Sequence, residues 1–528
     1  MRFWSGCGYR ILALAFLVHE GERGIVQGFF PSLKKGSLRQ YVGGKKLPRS
    51  GEAGSCFSSR LRRSSKSSSE LPEQASETSK SLKEKTVEFK ILGSISEIPK
   101  DEWNACVDCN QASSAFLDHS WFSCLEESKC ASPETGWVAQ HVSILVDGAK
   151  IGFVPLYIKG HSLGEFIFDN AWAKAAYQYG IDYYPKMLAA VPFTPATGSR
   201  MLWHSSVYKT YTSGEIADLR RAVALFLRKT AESNSISSVH IDFMTEEEAG
   251  DISGELKLMA EEEEEKTLKQ KIKGMLNSRP RVKDDFVRRT SVQYHWHNRN
   301  ANNEGKPYES FDDYLGIFKS KRRINIRRER KKVRQDEGIT IDAIRGKEIF
   351  KYPGLMERMF EIYKSTIDKM YFGRQYLTLD FFHMLAKSDF VDNLCFMCAR
   401  YNATQTDHEF RAEDVFAGTF NVIKDGVFYG RYWGSLAVEE VKNLHFETCY
   451  WSALEYCIEN DIKRMEPGAG GGDYKWARGF DPALTHSVHY ICHPGLRRAI
   501  SQFVDYETED NVQVADYLQA RRKKGSAS

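Results

Sequence analysis

Hydrophobic and polar residues alternate in two distant stretches of the chain, and an Asp-Gly pair interrupts the alternation in each. The first stretch is VSILVDGAKIGFVPLYIKG (142–160), and the second is FAGTFNVIKDGVFYGRYWGS (416–435). Two strand-like runs joined by Asp-Gly are a strong signal for a β-hairpin with a two-residue turn. The pattern therefore predicts one hairpin in each half of the chain.

A helical period follows each hairpin, and a short strand-like run follows each helix. In the later half, FETCYWSALEYCIEN (446–460) repeats its apolar residues at helical spacing and is followed by RMEP. In the earlier half, ADLRRAVALFLRKTAESN is followed by VHIDFM. The repetition predicts an α/β (α+β) fold of two similar units, each with a mixed, mostly antiparallel sheet flanked by helices.

A chain of 528 residues with 42% hydrophobic residues is long enough for two to three packed domains. Residues 246–285 include five consecutive Glu and no aromatic residue, which indicates a charged insertion rather than core. The predicted organisation is a targeting peptide with a disordered linker (1–85), a first unit (86–245), the charged insertion (246–285), a second unit (286–508) and a C-terminal tail (509–528).

The first 85 residues have the composition of a cleaved targeting peptide. They are basic and rich in Ser, and Glu20, Glu22 and Glu52 are the only acids before Glu70. The apolar run ILALAFLV (11–18) is too short to cross a bilayer and leaves a secretory signal or a two-step route into a plastid open. We expect import into a plastid, with the mitochondrion as the alternative, and a mature protein that is soluble and has no membrane span.

Charge and cysteine usage narrow the possible chemistry. With 74 Lys or Arg against 70 Asp or Glu, the chain does not have the charge of a general nucleic-acid coat protein, so any polyanion site must be local. Two C-x-x-C pairs occur, CVDC (106–109) and CFMC (395–398). The second lies in a strand-like stretch, where residues three apart point to opposite faces, so we expect buried, reduced thiols and no metal site.

One segment, SKRRINIRRERKKVR (320–334), has nine Lys or Arg and a single Glu. It is consistent with a nucleic-acid arm, a solvated helix face or a site for a phosphate-bearing substrate. A helix running from Tyr314 would place Arg322 and Glu329 on its otherwise apolar stripe, where they would pair. The cations expected to project elsewhere are Arg323, Arg327, Arg328, Arg330 and Lys331.

Several longer motifs resemble the FemAB-like proteins of the GNAT acyltransferase superfamily, over residues 89–507. In the later half they are SVQYHWHN, YFGRQYLT, YGRYWG, LHFETCYWSALEYCIE, RMEPGAGGGDYKWARGF and HSVHYICHPGLRRAI; in the earlier half they are SAFLDHSWFSCLEES and VPFTPATGSRML. The resemblance implies tandem GNAT-like domains that transfer an acyl or aminoacyl group to an amine. Donors used by such relatives are aminoacyl-tRNA and acyl thioesters, so acyl-CoA, an acyl-carrier protein or aminoacyl-tRNA is expected as a substrate, with no tightly bound cofactor.

The acetyl-CoA loop typical of GNAT enzymes is not matched. That loop reads Q/R-x-x-G-x-G/A and holds pyrophosphate on backbone N–H groups ahead of a helix. The corresponding RYWGSL (431–436) ends on Leu, where Gly or Ala normally permits close approach, and the helix is expected only near Phe446. This departure argues against ordinary acetyl-CoA binding.

Four residues are candidate acid/base groups. Glu466 ends the strand-like RMEP run and is placed to accept a proton from an attacking amine. His295 shares one face of the strand-like QYHWHN with Gln293, although a surface strand edge is an equally good interpretation. His445 and Glu447 are second choices, since Glu447 could simply favour the helix dipole.

The candidate substrate-binding residues combine cations, amides, rings and a Gly-rich loop. Arg374 and Gln375 suit a carboxylate or phosphate, and EPGAGGGDYKWARGF (466–480) lets a substrate approach the backbone. The predicted set is Gln293, Trp296, Arg323, Arg327, Arg328, Tyr371, Arg374, Gln375, Arg431, Trp433, Gly470, Lys475 and Arg478.

The sequence has no Ser-His-Asp order, Walker loop or Rossmann glycine pattern, so direct attack of an amine on a bound ester or thioester requires the fewest groups. The alternative is a non-catalytic GNAT-like protein that binds RNA or a protein partner through its basic helix.

The targeting hypothesis gives the first testable prediction. A fluorescent fusion of the full chain should enter plastids, and removal of the first ~80 residues should leave a folded protein in the cytosol. Imaging of both fusions checks this, and a cytosolic signal from the full chain would contradict it.

Overall fold

The computed structural model describes residues 85–109, 114–253, 286–300, 303–369, 374–402, 409–470 and 472–526, with side chains to residue 522. The predicted targeting segment before residue 85, most of the charged insertion and Tyr371 lie outside these residues. Among the described residues, no helix is both long enough and apolar enough to pass through a lipid bilayer.

The described residues form fifteen strands. They are β1 Val87–Leu92, β2 Trp137–Ala139, β3 His141–Val146, β4 Ala149–Val154, β5 Tyr157–Lys159, β6 Lys186–Ala189, β7 Leu202–Trp203, β8 Ser238–Met244, β9 Val287–His297, β10 Ile339–Arg345, β11 Leu394–Tyr401, β12 Ala417–Lys424, β13 Val427–Ser435, β14 Arg464–Glu466 and β15 Asp481–Ile491.

The helices surround these strands. They are α1 Lys100–Asp108, α2 His119–Glu127, α3 Asn170–Gln178, α4 Ser205–Thr210, α5 Ser213–Ser233, α6 Phe311–Leu315, α7 Ser320–Lys331, α8 Leu355–Lys369, α9 Leu379–Lys387, α10 Leu444–Phe446, α11 Ser452–Glu459, α12 Gly472–Trp476 and α13 Pro494–Ser526. Residues 246–253 are also helical, and π-helical turns occupy Lys332–Asp336 and Glu447–Trp451.

The strands form two sheets. One has four strands in the order β1-β3-β4-β7, and the other has eleven in the order β10-β11-β12-β13-β14-β9-β15-β8-β6-β5-β2. Among the described strands, only β6–β8 and β13–β14 pair in parallel. The predicted fold class, mixed and mostly antiparallel sheets flanked by helices, is confirmed.

Both predicted hairpins are present. β3 and β4 pair up to Val146↔Ala149, and β12 and β13 pair up to Lys424↔Val427. Each turn has two residues with positive φ, 50° and 81° in the first and 52° and 74° in the second. Asp-Gly suits this geometry because Gly has no Cβ to oppose a positive φ and Asp tolerates it well.

The same β-α-β connection occurs once in each half of the chain. β6 is joined through α5 to its parallel partner β8, and β13 is joined through α10 and α11 to β14. In the first half, α5 buries Leu219, Val223 and Leu227 in one apolar cluster with Val239 and Ile241 of β8. This burial of an amphipathic stripe is what orders the crossover helix.

The two halves share the larger sheet. β15, from the second half, pairs on one side with β8 of the first half and on the other side with β9. α13 packs against both β9 and β15. The segment predicted as a tail from residue 509 is, through Ser526, the continuation of α13, and Arg522 donates to the carbonyls of Trp476 and Phe480.

The basic segment is helical, but it does not run on from Tyr314 as predicted. α6 ends at Leu315, and α7 begins after Lys319, whose backbone is extended. The phase of the stripe is correct, since Ile326 is fully buried and Arg322 Nη1 lies 3.3 Å from Glu329 Oε1. The prediction of an inward-facing Arg-Glu pair is therefore confirmed.

Candidate active site

The ladder between β13 and β14 in the larger sheet is short, and we call the place where it ends the gap. The parallel pairing stops at Tyr429↔Glu466, β13 continues to Ser435, and the segment after β14 passes through Gly468, which has φ +85°. The two segments are still close there, because a Cβ on Gly430 would lie 3.3 Å from Pro467 Cα. Further along, β13 contacts α8, whose Thr366 Oγ1 donates to the carbonyl of Trp433 at 2.6 Å. Glu466 therefore lies at the last pair of the ladder.

Glu466 is buried but electrostatically balanced. Its Oε1 lies 2.9 Å from Arg464 Nη2, and its Oε2 lies 3.9 Å from His295 Nε2. Burial raises the pKa of Glu466, and the charges of Arg464 and Arg431 offset part of that rise. The result is a carboxylate that is a stronger base than an exposed Glu and has one oxygen directed toward His295.

The orientation of His295 is set by Gln293, its neighbour on the same face of β9. Gln293 Nε2 donates to the carbonyl of Pro195 at 3.0 Å, so its Oε1 faces His295 Nε2 at 3.2 Å. Since a carbonyl oxygen only accepts, His295 carries its proton on Nε2. Burial and the charges of Arg464 and Lys475 lower the pKa of His295 to about 3, so the ring is neutral at neutral pH.

A loop of the first half, residues 191–200, covers this part of the site. Besides Pro195 with Gln293, the carbonyl of Phe193 accepts from Arg431 Nη2 at 2.5 Å. Arg200 is fully buried and holds the loop by donating to the carbonyls of Ala196, Gly198 and Ser199. The candidate site is therefore built by both halves of the chain.

Two cations of the Gly-rich segment are buried beside the gap. Lys475 Nζ donates to the carbonyl of Gly468 at 2.6 Å, and Arg478 Nη1 donates to the carbonyl of Tyr474 at 2.9 Å. The guanidinium of Arg478 lies 3.5 Å from the ring centroid of Phe446. Burial lowers the pKa of Lys475 to about 8 and that of Arg478 to about 10.

Aromatic side chains form a wall next to these cations. The ring of His445 lies 5.3 Å from Trp433 and 5.8 Å from Tyr450. Burial and the charges of Arg478 and Lys475 lower the pKa of His445 to about 4, so it too is neutral at neutral pH. The structure thus brings together most of the residues predicted from the Gly-rich, YGRYWG and QYHWHN motifs.

Glu447 does not serve the predicted acid/base role. It is 1% exposed in a π-helical turn, and its Oε1 accepts from Arg330 Nε at 3.1 Å, Arg334 Nε at 2.7 Å and Ser452 Oγ at 3.0 Å. Both arginines also bond to Glu455. Arg330 was expected to project elsewhere than the apolar stripe of its helix, and this network holds it against α11.

Trp296 is a core residue rather than a binding residue. It is 1% exposed, and its ring packs against Tyr308 and Tyr314. Strand alternation placed it on the face opposite His295, and that face is covered by α6. The apolar side of β9 therefore packs in the core, and the polar side contributes to the site.

Other predicted binding residues lie on the surface. Arg374 and Gln375 are exposed, and Gln375 Nε2 donates to the nearby carbonyl of Leu377. Gly470 is exposed with open space where a Cβ would be, although its φ of +78° suits Gly. No described contact joins these three residues to Glu466.

The outward face of α7 carries two exposed arginines, Arg327 and Arg328, whereas Arg323 is half-buried. Arg327 is exposed and pairs with Asp312 at 2.9 Å, Arg328 bonds to Asn325, and Arg323 Nη1 donates to the carbonyl of Phe318. On the inward face, the charges of Arg322 and Glu329 act on Arg478. α7 therefore borders the site with one face and presents cations to solvent with the other.

Sequence reasoning missed Arg464, Phe193 and Pro195. Arg464 precedes Glu466 by two residues, and strand alternation places both on one face, so spacing could have indicated the pair. Phe193 and Pro195 contribute through backbone carbonyls, which no residue pattern encodes.

The described residues contain no group of three His, Cys, Asp or Glu side chains arranged to hold a metal ion. Cys395 and Cys398 lie on β11 in different apolar clusters, on opposite faces as predicted. Both are buried and free.

The chain belongs to the FemAB-like family. The family model, described as peptidoglycan biosynthesis/recognition, matches residues 94–524. The resemblance drawn from the motifs is thereby confirmed. No functionally curated protein matched the sequence.

Three solved structures match the chain over most of their own length. FemX is 13% identical over 76% of this chain and 98% of its own, with a TM-score of 0.41. A tandem GNAT protein from the clavulanic acid biosynthesis pathway is 10% identical over 77% and 99%, with a TM-score of 0.37. L-PGS from Bacillus licheniformis is 7% identical over 61% and 84%, with a TM-score of 0.34. Likeness at this level carries no conclusion about chemistry.

Replacing Glu447 by Ala should destabilise the protein, because it removes the fully buried carboxylate of the network and leaves Arg330 and Arg334 with only the half-buried Glu455. We expect a loss of about 3 kcal/mol in the free energy of unfolding, measured by urea denaturation. Glu459, exposed at the end of the same helix, provides the control, and Glu459→Ala should change little. Unchanged stability with lost activity would instead restore Glu447 as an acid/base group.

Proposed function

We propose that this protein is an N-acyltransferase or aminoacyltransferase that moves an acyl group from an activated ester or thioester to an amine. The observation that carries the proposal is the buried carboxylate of Glu466 at the point where two parallel strands separate. In this proposal the acyl group is bound where the ladder of β13 and β14 ends, and membership in the FemAB-like family supports the same reaction class.

The reaction requires a proton acceptor for the attacking amine. Glu466 meets this requirement, because burial raises its pKa and so increases its basicity. His295 is neutral and directs its Nε2–H to Gln293 Oε1, so it lies beside the carboxylate, at 3.9 Å, without acting as the base. No covalent enzyme intermediate is needed, since the amine attacks the bound acyl group directly.

The donor carries phosphate in this proposal. α7 exposes Arg327 and Arg328 on the outer face of a helix whose inner face borders Arg478. Exposed Arg side chains suit phosphate oxygens, and aminoacyl-tRNA, acyl-CoA and an acyl-carrier protein all carry phosphate near the acyl group. The departure of RYWGSL from the acetyl-CoA loop makes aminoacyl-tRNA and carrier-bound donors the first to test.

A donor panel with an active-site variant tests the reaction class. The full chain should transfer label to an amine from at least one of aminoacyl-tRNA, acyl-CoA and acyl-carrier protein, and mass spectrometry should show the amide product. Glu466→Gln, which keeps shape and removes the base, should reduce the rate on the order of a hundred-fold or more. Transfer from no donor, with retained RNA or protein binding, would favour the non-catalytic alternative.

The basic helix gives a separate prediction. Arg327→Ala with Arg328→Ala should weaken binding of the active donor and reduce the salt slope of its Kd by about one for each lost phosphate contact. Thermal stability should change little, because both side chains are exposed. Lys347→Ala with Lys351→Ala, at another exposed basic site, is the matched control. An unchanged Kd and salt slope would identify α7 as a solvated face.

A further inference from the structure

The side chain of Lys475 is buried, and the surrounding packing does not explain why a positive charge is placed there. It is 1% exposed on α12, and its Nζ bonds to the carbonyl of Gly468. Within the described part of the chain, no carboxylate oxygen lies within 4.0 Å of this nitrogen. Burying a charge without an opposite charge is costly, and an apolar side chain of similar length would avoid the cost.

The position of Lys475 is tied to the gap. Gly468, which holds the ammonium, follows Glu466 by two residues, and a Cβ on Gly468 would lie 3.3 Å from the carbonyl oxygen of Gly430 on β13. The charge of Lys475 also acts on both His295 and His445. The ammonium is therefore buried against the backbone that follows Glu466, and its charge acts on both the polar face of β9 and the aromatic wall.

We propose that Lys475 is the general acid that protonates the leaving group of the acyl donor. The proposal rests on the acyl-transfer function proposed above, in which Lys475 takes no part in the attack of the amine. An ester or thioester donor releases an alkoxide or a thiolate, and this leaving group must depart from a site where little water is present to protonate it.

The step balances in protons and electrons. The lone pair of the neutral amine forms the new C–N bond, and the carbonyl π pair moves to oxygen. Glu466 takes one proton from the attacking nitrogen. The carbonyl then re-forms as the bond from carbon to oxygen or sulfur breaks, and the leaving atom takes its electron pair and a proton from Lys475. Glu466 returns its proton to Lys475 through solvent after release.

The neighbouring cation is less suited to this role. A guanidinium stays charged under all working conditions, and Arg478 stacks on Phe446 with its polar atoms facing backbone carbonyls. Burial brings the pKa of Lys475 down to about 8, so its proton can be given up near neutral pH. Arg478 binds, and Lys475 transfers a proton.

A leaving-group series tests the proposal on the full chain. The donors are acetyl, alanyl and octanoyl groups, each as an ethyl thioester and as a 4-nitrophenyl thioester, and hydroxylamine is the acceptor. A nitrophenyl thiolate leaves without protonation, whereas an ethyl thiolate is a much poorer leaving group. Lys475→Met should lose on the order of a hundred-fold in kcat/KM on the ethyl thioester and remain near wild type on the nitrophenyl thioester.

Two further variants separate proton donation from charge. Lys475→Arg keeps the positive charge but cannot release its proton, so it should match Lys475→Met on the ethyl thioester. Recovery of that activity by Arg would show that the charge alone matters and would overturn the proposal. Lys463→Met, which removes an exposed cation just before β14, should behave as wild type. Nitrophenyl activity in each variant also shows that it has folded.

The pH profile supplies an independent readout. The wild-type rate on the ethyl thioester should fall as the pH rises through about 8, because the acid must be protonated, and Lys475→Met should lack this limb. Equal losses on both thioesters would make Lys475 a positioning residue and overturn the proposal. If the wild type transfers from no donor, the acyl-transfer function itself is wrong. If the wild type is active and Lys475→Met is equally active on the ethyl thioester, only the role of Lys475 is wrong.

Discussion

The separation of β13 and β14 after a short parallel pairing is the constraint on which the candidate site depends. Parallel strands normally continue their ladder until one of them ends, and here β14 ends at Glu466 while β13 continues for another six residues. Beyond Tyr429 the backbone of β13 bonds to side chains of α8 instead of to β14, since Thr366 Oγ1 donates to the carbonyl of Trp433 and the N–H of Ser435 donates to Ser365 Oγ. The short ladder thus places Glu466 where β13 changes its partner from a strand to a helix.

Closure of that gap comes from the other half of the molecule. β8 and β15 join the halves in one sheet, and the loop 191–200 then reaches Gln293 and Arg431 with backbone carbonyls. Carbonyl acceptors fix a side chain without adding a negative charge, so the charge of Arg431 still acts on Glu466. The electrostatics of the site in the second half therefore depend on a loop of the first half. Pro195 of that loop precedes Gln293 by 98 residues in the sequence.

The local sequence pattern was sufficient to predict the helices and strands. The roles of individual side chains were decided by partners that are distant in the sequence. The Asp-Gly turns, the helical periods and the inward pair Arg322–Glu329 all follow from backbone geometry and spacing, and all are observed. Glu447 was misassigned because its partner Arg334 lies 113 residues away, so nothing near Glu447 reveals an ion pair. Trp296 was misassigned for a related reason, since alternation separates two faces of a strand but does not say which one α6 will cover.

The same cause, removal from water, acts on Glu466 and Lys475 in opposite directions. It raises the pKa of the carboxyl group and lowers the pKa of the ammonium, and each shift is a cost to folding at neutral pH, where the unfolded chain keeps both groups charged in water. A protein selected only for stability would replace or pair these groups. In the proposed reaction these opposite shifts bring a base and an acid toward the same working pH, so that a proton is accepted by one group and delivered by the other with no change in the total charge. The stability cost and the proposed chemistry therefore have one physical origin, which is the exclusion of water from the point where the two strands separate.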